Sequence, residues 1–244
     1  MTRGPWDRDH QHAGPPAALL ARAIERASGI ERGQTARISF DILGPVPIAP
    51  LAIDAQLLRP GRRVEQVEAV LRRADPGGDG VLMRATAWRM RSEAGAIETA
   101  PEPPPAPPDT GEPGRFEFWR EEVAYYRALD WRFVDGVFEE PGPATVWTRL
   151  LVPLVAAEEP TPLERLLVMA DAASGVSAAL PWDSWLFVNV DLGVHLERPP
   201  AGDWMAMAAR TEIGPSGMGL CTSRLYDDQG FVGVSTQSLL VSPR

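Results

Sequence analysis

The chain carries an echo of itself. Leu58 to Gly80 lies without a gap on Glu197 to Gly219, at one constant offset of 139. Arg59-Pro60 meets Arg198-Pro199, Pro76 meets Pro215, Gly78 meets Gly217 and Gly80 meets Gly219. These are the residue types that punctuate strands, so the match predicts two copies of one strand–turn–strand unit. Two copies of a module must meet, and such interfaces are where ligand clefts tend to form.

Between the copies, residues 101–114 read PEPPPAPPDTGEPG, with seven prolines. Proline lacks an amide donor and fixes φ, which makes this segment an extended linker rather than a helix or central strand. It divides the chain into residues 1–100 and 115–244. In the first part Pro15 to Ser28 reads as a helix, with prolines at its start and Gly29 beyond its end. Strand-like runs follow at Ala36–Leu43, Leu51–Leu58, Arg63–Arg73 and Gly80–Arg91, with Asp75-Pro76-Gly77-Gly78 as a turn. In the second part Trp131–Phe138 and Thr145–Leu150 read as strands. Thr161-Pro162-Leu163-Glu164 is a capping box opening a helix that runs to about Leu180. Strands then follow at Leu186–Leu196, Trp204–Ile213, Gly219–Tyr226 and Phe231–Leu240. Each half is thus an apolar helix followed by several antiparallel strands. An α+β module with its sheet wrapped on a central helix buries both apolar faces.

Composition removes several classes of chemistry. All 24 basic residues are arginine, which excludes a Schiff-base lysine and a Walker A lysine. Cys221 is the only cysteine, so an internal disulfide or multi-cysteine zinc site is excluded. A net charge of -9 argues against general nucleic-acid binding. The acidity is uneven: residues 1–100 hold 14 Arg against 12 acids, residues 101–244 hold 10 against 21. Arg59, Arg62, Arg63, Arg72 and Arg73 are therefore the candidates for a phosphorylated ligand. No stretch approaches a membrane span, and Met1–Gly14 has no apolar run of the signal-peptide kind, so a cytoplasmic location is expected. His10 and His12 read as part of a flexible N-terminal tail. Cys221 reads as buried filler.

Asn189-Val190-Asp191-Leu192, Arg198-Pro199-Pro200 and the closing Gln237-Ser238-Leu239-Leu240 resemble the C-terminal half of double-hotdog acyl-CoA thioesterases of the thioesterase II type. Leu57-Leu58-Arg59-Pro60-Gly61 and the helix after His12-Ala13-Gly14 resemble the N-terminal half. The resemblance implies a tandem (double) hotdog and hydrolysis of acyl-CoA or another acyl thioester, with no cofactor and no metal. It also implies site residues: an Asp on the second helix, here Asp171; a Gln on the last strand, here Gln237; and a Thr or Ser position that falls on Asn189, a departure from the family pattern. The fused halves already form a pseudo-dimer, and the resemblance adds homo-oligomerisation as an expectation.

In that scheme Asp171 draws a proton from water, with burial raising its carboxyl toward useful base strength and hydrogen bonds restraining the rise. Asn189 and Gln237 orient the same water and the carboxylate. The helix N-terminus near Gly14 supplies oxyanion stabilisation. Met169, Trp182, Trp185 and Phe187 line an acyl tunnel, and Arg59 contacts the carrier. The plainer alternative for Asp171 is an exposed helix face shared with Glu164. Three other functions stay open. Asn189 in place of the hydroxyl allows a non-catalytic acyl-thioester or lipid-binding hotdog protein. Asp191 and His195, four apart on one strand face, allow a hotdog hydratase or dehydratase. A partner-binding module without an acyl tunnel is the third.

Overall fold

The computed structural model describes residues 1–75, 80–92, 97, 99, 102–116 and 123–244. The expected turn at Asp75-Pro76-Gly77-Gly78 thus falls mostly outside the described residues. Helix α1 (Gly14–Ala27) opens with Pro15 and Pro16, where a missing amide leaves no helical bond unmade. Its buried face is small and apolar: Ala17, Ala18, Leu20, Ala21 and Ile24. Four strands follow, β1 (Gly33–Ile42), β2 (Leu51–Arg59), β3 (Val64–Arg73) and β4 (Val81–Arg91). Alternation puts Val67, Ala69 and Leu71 of β3, and Met83, Ala85 and Ala87 of β4, inside.

The second half begins with a two-residue edge strand β5 (Glu112–Pro113), α2 (Ala124–Arg127), β6 (Leu129–Asp135) and β7 (Ala144–Leu150). Helix α3 (Pro162–Ala170) starts at the capping box: Thr161 accepts from the Glu164 amide at 3.2 Å and Glu164 accepts from the Thr161 amide at 2.9 Å. The helix stops at Asp171, and a separate turn, α4 (Ala173–Val176), follows, where the sequence predicts one helix. The predicted strand Leu186–Leu196 is likewise two, β8 (Trp185–Asn189) and β9 (Asp191–Leu196). Strands β10 (Trp204–Ile213), β11 (Met218–Asp227) and β12 (Gly230–Pro243) complete the chain.

All the strands form one sheet in the order β2-β3-β4-β1-β9-β12-β11-β10-β7-β6-β5, with β8 beside β12. The halves join where β1 pairs antiparallel with β9, placing Ile38 opposite Val194 and Phe40 opposite Leu192. Outward from that seam β4 answers β12, β3 answers β11 and β2 answers β10. The duplication is therefore real in topology, yet the offset of 139 lays β3 on β10, one strand out of step. Arg59-Pro60 lies in the β2–β3 hairpin whereas Arg198-Pro199 lies in the connection from β9 to β10, so shared turn residues align two connections that differ in kind.

Helices α1 and α3 cross inside the wrapped sheet, and one core cluster spans both halves. Gly14 permits the crossing: a Cβ there would sit 2.4 Å from the Val168 carbonyl oxygen. The proline-rich segment lies against the C-terminal half. Ala106 accepts from the Trp147 indole at 2.8 Å and Glu102 accepts from the Phe231 amide at 2.9 Å. It runs beside a second buried cluster of Trp147, Ala206 and Tyr226. Among the described residues no helix is long and apolar enough to cross a membrane.

Candidate active site

The break between α3 and α4 builds the site. Asp171 is the C-cap of α3 and is 5% exposed. Gln237 points inward because it alternates with Ser235 and Leu239 on the buried face of β12. Its Nε2 donates to the Asp171 carbonyl at 3.0 Å, and its Oε1 accepts from the Ser174 amide at 3.0 Å. One amide thus satisfies both a carbonyl and an amide that the broken helix leaves open. The same Nε2 lies 3.5 Å from Asp171 Oδ1. Asn189, the last residue of β8, donates to Asp171 Oδ1 at 2.8 Å and to the Asp191 carbonyl at 3.2 Å.

The fourth member comes from the other half. His12 Nδ1 lies 2.9 Å from Asp171 Oδ2, with both side chains buried. The His12 ring stacks on Tyr125 at 3.7 Å and 5° between planes. Tyr125 in turn donates to the Val168 carbonyl at 2.6 Å. The expected flexible tail is therefore an ordered segment here. Gln11 donates from its amide to Val46 and from its side chain to Pro47, both at 2.8 Å, and His12 donates from its amide to Thr2. His10 also lines the cavity onto which these groups open, where its Nδ1 lies 3.4 Å from Asp7 rather than against Asp171.

Burial pushes the Asp171 carboxyl up, but the His12 charge, hydrogen bonds from His12 and Asn189, and the Gly14 amide outweigh it. The net result lies below the ordinary 3.8. This corrects the expectation of a carboxylate raised toward base strength: too many donors converge on it. Burial holds the Tyr125 phenol well above its usual range, so it stays neutral. Burial likewise pushes the Cys221 thiol up, which suits an inert residue.

An apolar cavity of about 300 Å³ opens at this point, between the halves. His12, Asp171 and Asn189 line it, with Trp6, Ala13, Val46, Tyr126, Trp182 and Phe187 among its walls. Of the expected tunnel residues, Trp182 and Phe187 stand in the wall. Met169 is fully enclosed in the core, and Trp185 packs at the core margin; neither lines the cavity. Gly14 is outside the wall too, because its missing side chain serves the helix crossing and its amide lies 3.2 Å from His12 Nδ1 while also donating to Asp171. Arg59 sits on β2, the outermost strand of its half, donating to the Val64 carbonyl at 2.9 Å and lying over Trp88. Arg72 and Arg73 face Asp54 and Asp75.

Glu164 does not share an exposed face with Asp171. It is 1% exposed and meets Arg22 at 3.3 Å. Asp191 accepts from the Ser238 amide at 2.6 Å and from its hydroxyl at 3.2 Å, while His195 is exposed on β9. Neither lines this cavity, so the Asp191–His195 alternative does not draw on it. Sequence reasoning missed His12 as a site residue, along with Trp6, Tyr125 and Tyr126. Only His12 left a trace, in its place just before the α1 start.

The acyl-CoA thioesterase C-terminal domain family matches residues 98–241, and the corresponding N-terminal domain family matches residues 2–90. The chain belongs to the acyl-CoA thioesterase family. Its fold is the double hotdog of the thioesterase II type. Similar solved structures include a tesB protein of Mycobacterium avium subsp. paratuberculosis, with 16% identity and a TM-score of 0.73 over 99% of this chain and 91% of that one. An acyl-CoA thioesterase II, TesB2, of Mycobacterium marinum has 16% identity and a TM-score of 0.66 over 93% and 86%. A hot dog fold protein of unknown function from Alicyclobacillus acidocaldarius has 17% identity and a TM-score of 0.74 over 98% and 89%. No curated protein sequence matches this thioesterase-family chain.

Proposed function

We propose that this protein hydrolyses acyl thioesters of the acyl-CoA kind, with the His12–Asp171 pair activating the water. The observation that carries the reading is the 2.9 Å contact of these two buried groups in the wall of an apolar cavity. Imidazole is the side chain whose ordinary titration range suits proton transfer near neutral pH. In the neutral imidazole this mechanism requires, the proton sits on Nδ1 toward Asp171 and the Gly14 amide turns to the carboxylate, which leaves Nε2 as the acceptor. Among the described residues no hydrogen bond occupies Nε2. A carboxylate already receiving several donors is a weak base, which argues for His12 rather than Asp171 as the group that takes the proton.

Water attacks the thioester carbonyl as His12 Nε2 removes its proton, and the resulting imidazolium is stabilised by Asp171. The tetrahedral oxyanion forms beside the N-terminus of α1, where Ala13 lines the wall; Pro15 and Pro16 carry no amide and the Gly14 amide is committed, so the positive end of the helix dipole is what α1 supplies. Collapse expels the thiolate, which recovers the proton from His12. Asn189 and Gln237 act on Asp171: they fix its carboxylate and the helix break that presents it. A continuous assay of thiol release from acyl-CoAs tests the reading. Asp171→Asn and His12→Asn should each lower turnover by roughly 10²–10⁴-fold. Undiminished turnover in both variants sinks it.

The departure at Asn189 supports a second reading, a non-catalytic acyl-thioester binder. Both Asn189 contacts are donations, to Asp171 and to the Asp191 carbonyl, so its amide hydrogens are already committed. Saturable binding of acyl-CoA without any thiol release would favour that reading.

A further inference from the structure

We infer that the cavity accepts a compact acyl group, a short aliphatic or single aromatic one, and that Trp182 and Gly175 set the limit. This rests on the thioesterase reading of the same site and adds its substrate class. The cavity, about 300 Å³, lies at the bottom of the range for ligand pockets, roughly 300–1,000 Å³. A space of this size suits a compact acyl group rather than a long extended chain.

The stop is assigned to the buried rings of the wall, Trp182 and Phe187, while Trp6 beside them is partly exposed. Trp182 lies 4.3 Å from Phe187 and 5.2 Å from Trp6, centroid to centroid. Behind it stands Phe138 at 5.7 Å, which Tyr126 meets at 5.5 Å. Phe138 is core, outside the cavity wall, so the rings continue inward as packing. Gly175 of α4 sits against the same stop. A Cβ there would lie 3.5 Å from the Tyr126 hydroxyl and 3.6 Å from the Trp182 ring, ordinary van der Waals contact. A methyl at position 175 therefore fits the fold while shortening the cavity. Removing the Trp182 indole extends the cavity toward Phe138. A flat acyl group would meet a wall that includes the rings of Trp6, Trp182 and Phe187, which favours aromatic contacts.

The test uses the intact protein and non-hydrolysable S-alkyl-CoA thioethers: S-butyl-, S-hexyl-, S-dodecyl-, S-hexadecyl- and S-phenethyl-CoA, titrated by calorimetry. A parallel panel measures hydrolysis of butyryl-, hexanoyl-, lauroyl-, palmitoyl- and phenylacetyl-CoA. Affinity should rise about fourfold for each methylene from butyl to hexyl. S-dodecyl-CoA should bind at least about tenfold more weakly than S-hexyl-CoA, since overfilling a packed site strains it. Gly175→Ala should weaken S-hexyl-CoA by about fourfold, the loss of room for one methylene, and leave S-butyl-CoA unchanged. Trp182→Ala should move the optimum to longer chains. S-phenethyl-CoA as the tightest ligand identifies an aromatic acyl group, and S-hexyl-CoA as the tightest identifies an aliphatic one; both support the inference. Long chains bound by the unaltered protein as tightly as hexyl overturn it, and so does an absence of binding by every thioether. Short-chain binding without hydrolysis of any ester would overturn the thioesterase reading and leave the size limit standing. Efficient hydrolysis of palmitoyl-CoA would do the reverse.

Discussion

Each half of the molecule buries a carboxylate near the end of its helix, and the two are held in different ways. In the N-terminal half, Glu65 accepts from the Gly29 amide at 3.0 Å and from the Ser28 hydroxyl, just past the end of α1. Arg89 faces it at 3.6 Å and also donates to Ser28, Thr35 and the Gly33 carbonyl. In the C-terminal half, Asp171 ends α3 and meets His12. An arginine does not give up its proton in a protein, so the first arrangement is static. A histidine can lose and regain one. The second arrangement also opens on an apolar cavity that spans the two halves. Burial and pairing alone therefore do not mark a reactive acid. What distinguishes Asp171 is a partner that can exchange a proton where a ligand fits.

Exchanging the fates of the two acids tests the contrast most strongly. Asp171→Asn should cut thioester turnover by roughly 10²–10⁴-fold, whereas Glu65→Gln should leave turnover unaffected. The Glu65 change should instead cost about 1–3 kcal/mol of stability in denaturant melts, because the carboxylate that accepts from Ser28 and Gly29 is lost while Arg89 keeps Glu25 at 3.4 Å. Equal effects of both changes on turnover would erase the contrast. Gln237→Leu frees the helix break and lets the carboxylate drift; a small misplacement of a positioned group costs roughly 100-fold in rate. The loss should appear in kcat more than in KM. A smaller effect is expected in acid. Asp171 is held below its ordinary 3.8, so its charge stabilises the fold above that pH. The contribution is lost as pH falls through the lowered value. Acid unfolding of Asp171→Asn should therefore lack that increment, and identical acid limbs would count against it. The least effect is expected from Arg59→Ala and Asp191→Asn, which should leave KM for acyl-CoA unaltered.

The sequence was most informative where structure is local. Alternating strands and the capping box at Thr161 appear close to their expected positions, because period and cap chemistry act within a few residues. The stop at Asp171 was hidden. Val168 to Val176 keeps a helical pattern, and the break is stabilised by Gln237, a residue far along the chain. Asp171, Asn189 and Gln237 were singled out through family resemblance, and the structure brings Asn189 and Gln237 each within hydrogen-bonding reach of Asp171. His12 was read as a tail residue because nothing near it is periodic. Its position depends on backbone pairing with Val46 and on the Tyr125 ring, both distant in sequence. Arg59 was chosen for its charge, and charge does not reveal which edge of the sheet a strand will occupy.

The seam between β1 and β9 has a consequence for how the molecule comes into being. Residue 12 leaves the ribosome long before residue 171, and neither half owns both members of the proposed His12–Asp171 pair. Turnover thus reports that the two halves have docked in register, much as a signature needs two keys turned at once. Cutting the chain within the proline-rich stretch should silence both fragments, and mixing them should restore activity only to the extent that they find each other.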